Sequence, residues 1–336
     1  MKSARIPSLC LLAMMSMPLV AIYPAAAAPK KGQQSSSGPP VLWRDPADIA
    51  SRDLHYGPGG AKDQPHDPFE FVKEDLNGTN PKFVIRDADG VKWKLKLGEE
   101  VRPETAASRL VWAAGYSADE EYFLPDLVIT KMPSRLHRGE KFVEPDGLTH
   151  NARLKRYLEG EEKFGSWKWK DNPFTGTREF NGLRVMMALI NNWDLKDVNN
   201  TIYERDGNRL YLVSDLGASF GSTGRSVTRA DSKGNLDVYT NSKFIAKVMP
   251  TFVDFNVPTR PALIHVIEVS EYASRVNMEW IGKEIPIDDA RWIGKILARL
   301  SPQQIQAAFG AAGFSPKEVA GFSAIVESRI AELNKL

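Results

Sequence analysis

Cysteine is almost absent from this chain of 336 residues, the one example being Cys10. A single thiol closes no intrachain disulfide and supplies no thiolate set for a metal. Histidine is sparse and scattered, at His55, His66, His137, His150 and His265, so no zinc motif appears. Serine hydrolysis has no support. Excess charge is lacking too, with 44 Lys and Arg against 42 Asp and Glu and no basic tract. That removes the case for a nucleic-acid partner held by phosphate neutralisation. No internal repeat is visible.

What is present begins with a segment that reads as a secretory signal. Lys2 and Arg5 form a positive start, Leu9 to Ile22 is apolar around Ser16 and Pro18, and Ala25 to Ala28 are small residues suited to cleavage. Residues 1–28 are therefore expected to be a signal peptide. The protein is expected to be exported, periplasmic or extracellular, or membrane-anchored where the segment is retained. Loss of Lys2 and Arg5 leaves 42 basic against 42 acidic residues. Residues 29–66 are expected to be flexible linker and loop, because Pro29 to Pro40 is Lys, Gly, Gln, Ser and Pro and cannot build a core. Gly57-Pro58-Gly59-Gly60 lacks the Gly-Lys-Ser/Thr ending of a phosphate loop and reads as surface.

From Phe69 the pattern alternates. Strands are expected at Phe69–Val72, Phe83–Ile85 and Val91–Leu97, joined by turns at Asn77-Gly78-Thr79-Asn80 and Ala88-Asp89-Gly90. In the third strand Trp93, Leu95 and Leu97 share one face, and Lys92, Lys94 and Lys96 share the other. Those lysines are either a solvated face or, for at least one, a phosphate ligand turned into a cleft. Next comes a helix with Pro103 in its first turn, an apolar stripe through Ala106, Ala107, Leu110, Val111 and Ala114, and Gly115 at its end. Glu104 at its start is either favoured there by the helix dipole or partnered with a strand lysine.

A strand is expected at Tyr122–Ile129, followed by an irregular stretch from Pro133 to Asp146. Trp167-Lys168-Trp169-Lys170 reads as packing or a carbohydrate-like surface rather than a nucleic-acid site, and no role is assigned to it. Phe180 to Trp193 is apolar nearly all round, so a buried helix is expected. Residues 218–261 read as a long flexible loop. Three C-terminal helices follow, two of them opened by Ser301-Pro302 and Ser315-Pro316.

Chemistry is concentrated in one place. The buried helix delivers the chain to Asp194-Leu195-Lys196-Asp197-Val198-Asn199, with Asp194 and Asn199 five positions apart. A hairpin turned at Asp206-Gly207-Asn208 then leads to Asp215-Leu216-Gly217, sixteen residues after Asn199. Each residue alone suits a turn. The helix before and the hairpin between bring Asp194, Asn199 and Asp215 to the ends of one short unit.

The Asp194–Asn199 run resembles the catalytic loop of the protein-kinase-like fold, and Asp215-Leu216-Gly217 resembles its metal-binding Asp-Phe-Gly. The likeness is to divergent members such as HipA-type, spore-coat CotH-type and secretory-pathway kinases, and covers roughly residues 69 to 300. It implies an α+β fold of two lobes: a small antiparallel-sheet N-lobe at 67–132, and a mostly helical C-lobe at 133–336. The C-lobe carries a catalytic loop at 192–200 and a metal-binding loop at 215–217. It implies ATP with magnesium or manganese as cofactors, and a nucleotide and an acceptor as partners. In this resemblance Asp194 orients the acceptor hydroxyl, Lys196 neutralises the transferred group, and Asn199 and Asp215 hold the metal. Lys96, or Lys94 on the same face, holds phosphate and is positioned by Glu104. Gly78 stands for the glycine-rich loop and Leu127–Met132 for the adenine hinge. Asn192 stands where many members have histidine, and no Ala-Pro-Glu segment follows residue 217. The acceptor, whether protein, lipid headgroup, sugar or small molecule, is not implied. A pseudoenzyme acting as a binding module, and nucleotidyl (AMP) transfer, are the alternatives on the same fold.

Overall fold

A computed structural model describes residues 38–78, 80–221, 233–257 and 278–336. The expected signal peptide, linker residues 29–37 and Thr79 of the expected turn lie outside the described residues. The unit considered is Ser37–Leu336.

Its first part is a closed barrel. After β1 (Pro40–Val41) come β2 (Phe69–Glu74), β3 (Lys82–Arg86), β4 (Lys92–Lys96), helix α1 (Val101–Ala113), β5 (Glu121–Thr130) and β6 (Leu148–Arg156). The strand order is β2-β3-β4-β6-β5, and parallel pairing of Phe69 with Ile129 closes the ring. The expected three strands are present, with alternation doing what it predicts: Phe83, Ile85, Trp93 and Leu95 fill the barrel with Leu127 and Leu154.

Two expectations change here. The small antiparallel sheet is a barrel with one parallel seam, and its sheet does not end at residue 132. Leu148–Arg156 is inserted between β4 and β5, because Leu95 pairs with Leu154 and Tyr122 pairs with the same residue from the other side. Leu127–Met132 therefore cannot be a hinge. Leu127 and Val128 spend their backbone in a ladder with Thr149 and Leu148. The strand that leaves the barrel is β6, and Tyr157–Glu161 is the segment that follows it.

The 29–66 stretch also differs from a linker where it is described. Leu42, Ile49 and Leu54 are buried in the main core. The Trp43 indole donates to Ala114 O at 2.8 Å, and Gln304 donates to the main-chain oxygens of Ile49 and Arg52 at 2.8 and 2.9 Å. A polar composition hid a strap pinned to the core by Leu42, Ile49 and Leu54.

The second part holds the larger core. β7 (Glu162–Gly165) precedes α2 (Arg178–Leu189), and the hairpin β8 (Asn200–Arg205) and β9 (Asn208–Val213) completes a sheet ordered β1-β9-β8-β7. Trp167 and Trp169 are buried, and their rings pack edge to face at 4.9 Å. Residues 233–257, expected to be part of a flexible loop, instead form α3 (Leu236–Thr240), β10 (Ile245–Val248) and β11 (Phe252–Phe255), which pairs with β12 (Ile285–Pro286). Tyr239, Phe244, Val253 and Phe255 bury this piece. The remaining loop residues, 222–232 and 258–261, lie outside the described residues.

The C-terminal helices are α4 (Ile287–Leu297), α5 (Pro302–Ala311) and α6 (Pro316–Asn334). Ser301 with Gln304 and Ser315 with Glu318 form full capping boxes, which is why the two Ser-Pro pairs mark helix starts so clearly. Among the described residues no helix is long and apolar enough to cross a membrane.

Candidate active site

The strand lysines separate by position. Lys92 is exposed and Lys94 reaches Asp75 at 3.1 Å with 37 % of its side chain accessible, whereas Lys96 is 2 % exposed. The Lys96 ammonium lies 2.8 Å from Glu104 Oε2, 2.6 Å from Glu100 Oε2 and 3.4 Å from Asp215 Oδ1. Of the open choices, then, Lys96 is the lysine partnered with the helix glutamate.

Their separation of eight residues suffices because a tight connection at Gly98, with φ of +103°, turns β4 straight into α1. Glu104 then falls in the first helical turn, directly over the strand end. Its other oxygen accepts from Arg153 Nη2 at 2.9 Å, and Arg153 Nη1 lies 3.1 Å from Glu121. Burial pushes Glu104 up to about 7, aided by the carboxylates of Asp215 and Glu121 and opposed by Arg153 and Lys96. Burial works against the Lys96 charge, but Glu104, Asp215 and Glu100 more than reverse it and hold its ammonium above the usual lysine value.

Asp215 is the open member of the cluster, with 41 % of its side chain accessible. Burial pushes its carboxyl up. Lys96, the Gly217 amide, Arg153 and Lys82 outweigh that and hold it below the usual aspartate value. Gly217 is required by close approach: a Cβ there would lie 2.6 Å from Glu100 Cβ.

The catalytic-type loop is built by the end of α2. This helix stops at Leu189, short of the expected Trp193, because Asn191 takes a left-handed conformation with φ of +51°. Asn192 Oδ1 accepts from the Asp194 amide at 3.1 Å, and the Lys196 ammonium lies 3.4 Å from Asp194 Oδ1. Asn199 donates from Nδ2 to Asp194 O at 2.6 Å, while its own main-chain oxygen accepts from Ser214 and Asp215. Asp197 is a structural anchor, accepting from the Trp169 amide at 3.0 Å.

Sequence reasoning missed several parts. Glu100 is a second carboxylate on Lys96, and it also binds Lys233 and Asn80. Arg153 lies on a strand that was not expected. Arg329, from the last helix, donates to Leu189 O at 2.8 Å, to Asn191 Oδ1 at 3.0 Å and to Ser242 Oγ at 2.7 Å, fixing the loop from below. Gly78 lies on the β2–β3 turn, where Arg138 donates to its carbonyl. Gly217-Ala218-Ser219-Phe220-Gly221 has the spacing of a nucleophile elbow. Ser219 is fully buried with no hydrogen-bond partner for Oγ among the described residues, so no base activates it.

No protein-family model matches the chain. A stretch of 135 residues is similar, at 27 % identity, to the DNA mismatch repair protein MutL of Clostridium botulinum, over 37 % of this chain. The chain spans 20 % of that relative's length. Among solved structures it is similar to the Helicobacter pylori proinflammatory kinase CtkA, with a TM-score of 0.45 and 11 % identity over 79 % of this chain and 96 % of that one. It is also similar to the golgi casein kinase, with a TM-score of 0.37 and 11 % identity over 81 % and 73 % of the two chains. In this chain the strand lysine, the helix glutamate after it, the loop at 194–199, the hairpin and Asp215 follow in that order and meet in space. The fold is α+β, a barrel with one long helix beside it followed by a larger, mostly helical part.

The Asp215 carboxylate and the Asn199 carboxamide are hard oxygen donors, the kind that magnesium and manganese prefer. Among the described residues no group of three or more His, Cys, Asp or Glu is placed to hold a metal ion.

Proposed function

We propose that this chain is an ATP-dependent phosphotransferase. The observation that carries the reading is the meeting of the Lys96 ammonium with Glu104 at 2.8 Å and Asp215 at 3.4 Å, contributed by a strand, a helix and a hairpin exit. Lys96, held in place by Glu104, offers phosphate oxygens a positioned cation once they take the place of Glu100 or Asp215 on it. Asp194 orients the acceptor hydroxyl and takes its proton, and Lys196 beside it offsets charge on the transferred group. Asp215 and Asn199 would hold magnesium or manganese, which supplies charge neutralisation between the phosphates. Because Asn199 commits Nδ2 to the Asp194 carbonyl, its Oδ1 is the atom left for that role. We place the protein outside the cytoplasm on the strength of its first 28 residues. The acceptor is a hydroxyl compound supplied there.

Thermal melting with ATP and magnesium or manganese tests this. Wild type should be stabilised only when nucleotide and metal are both present, and Asp215→Asn should lose the effect. No stabilisation of the wild type would sink the reading. Labelled ATP then sorts the chemistry: γ-label in the product marks phosphoryl transfer, α-label nucleotidyl transfer, and binding without either a nucleotide-binding module.

A further inference from the structure

Three basic residues stand in one row across the barrel. Lys82 on β3 is the register partner of Lys96 on β4, and Lys96 is the register partner of Arg153 on β6. Directly paired residues leave the same face of a sheet. That face is the outer one, because the next row, Phe83, Leu95 and Leu154, fills the barrel. Like charges directly opposite one another are unfavourable.

The two inner cations are matched. Lys96 meets Glu104, Glu100 and Asp215, and Arg153 meets Glu104 and Glu121. Lys82 is different. Among the described residues it forms no ion pair, and its ammonium reaches only Asn77 O at 3.4 Å. It is nevertheless half-buried rather than waving in solvent. Burial and the Lys96 charge both push its proton affinity below that of an ordinary lysine, and Asp215, Glu104 and Asp75 only partly restore it.

The position of Lys82 gives this a use. It sits at the root of the β2–β3 turn, and its Nζ is 3.1 Å from where a Cβ on Gly78 would lie. That turn has one glycine, so it lacks the series of small residues whose amides usually cradle phosphate. Asp215 and Lys96 lie across from it, close enough to act on its charge. We propose that Lys82 is a second polyphosphate ligand, which with Lys96 grips adjacent phosphates of the nucleotide from beneath the turn and substitutes for a glycine-rich loop. The inference rests on the nucleotide reading above. A bound polyanion would also remove the like-charge conflict between the two lysines.

Binding of ATP with magnesium, of adenosine and of inorganic tripolyphosphate to the full chain tests it, in wild type, Lys82→Met, Lys82→Arg and Lys92→Met. Lys82→Met should weaken ATP and tripolyphosphate about tenfold or more. It should leave adenosine unchanged, and the ligand-free melting temperature equal or higher because a repulsion is gone. Lys82→Arg should recover much of the binding, and Lys92→Met, exposed on the same face, should match wild type. Wild type that binds ATP with Lys82→Met within twofold overturns the lysine assignment alone. Tripolyphosphate binding that depends on Lys82, without any preference for ATP, supports the lysine site and overturns the nucleotide reading. Wild type that binds neither anion overturns both.

Discussion

Asn199 donates from its carboxamide to the main-chain oxygen of Asp194 at 2.6 Å, and its own main-chain oxygen accepts from the Asp215 amide at 3.3 Å. One side chain and one carbonyl thus tie the candidate base to the candidate metal carboxylate across the ends of the β8–β9 hairpin. Asn199→Ala is expected to lower transfer by roughly 100-fold or more, as for loss of one preorganised polar group at a reacting centre. Stability should fall by only about 1 kcal/mol, the worth of a typical hydrogen bond. Label transfer and calorimetry measure the two. Equal losses in both would mean that Asn199 is structural.

Lys96 and Lys94 should behave differently although they share a strand face. Removing Lys96 leaves Glu100, Glu104 and Asp215 without their common cation, so Lys96→Met should cost about 3–5 kcal/mol. Adding Glu104→Gln to it should restore part of the loss, since an unpaired buried charge goes with it. Lys94→Ala breaks only a partly exposed pair with Asp75 and should cost no more than about 1 kcal/mol. Chemical denaturation of the four proteins gives the comparison, and a double variant no more stable than Lys96→Met would contradict the pairing.

Glu104 makes stability depend on pH. Its carboxyl is raised from 4.5 to about 7 in the folded chain, where burial acts first and Lys96, Arg153, Asp215 and Glu121 set the balance. The folded state therefore keeps a proton that the unfolded state gives up, and stability is lost as pH rises from about 4.5 through 7. The stability of wild type relative to Glu104→Gln should decline over that window, by at most roughly 3–4 kcal/mol. Denaturation curves between pH 4 and 8 check the sign. A difference that grows with pH would show that Lys96 and Arg153 keep Glu104 ionised throughout.

Arg329 lies far from the candidate catalytic loop in sequence but braces the chain that leads into it. Its guanidinium satisfies carbonyls at the end of α2 together with Asn191 and Ser242, and it is 2 % exposed. Arg329→Met would strand those buried acceptors, and a loss of about 3 kcal/mol is expected. Nucleotide binding should suffer less than transfer, because Lys96 and Asp215 do not touch Arg329. A variant with wild-type turnover would remove Arg329 from the support of the loop.

Much of the site was legible in local pattern. Alternation in Val91–Leu97 put the lysines on one face, and the same period filled the barrel with Trp93 and Leu95. Asp, Asn and Gly at 194–200, 206–208 and 215–217 marked the loop and the hairpin because few other residues suit such turns. The Leu148–Arg156 strand was less visible. Its Arg153 and Lys155 look like solvated charge, and only the tertiary structure shows Arg153 buried against Glu104 of α1 and Lys155 half-buried against Asp119. The boundary at residue 132 and the hinge at Leu127–Met132 failed for the same reason.

By itself, then, the sequence determined the order of the parts: a lysine strand, a glutamate at the next helix start, an Asp-to-Asn loop, a hairpin and a second aspartate. Those follow from residue-by-residue preferences acting over a turn or two of chain. Only the tertiary structure decided which lysine meets Glu104 and Asp215, that Glu100 and Arg153 join the cluster, and that Lys82 stands in register with Lys96. Strand register and burial bring together residues as far apart as Lys96 and Asp215, 119 positions along the chain. No local preference carries that distance.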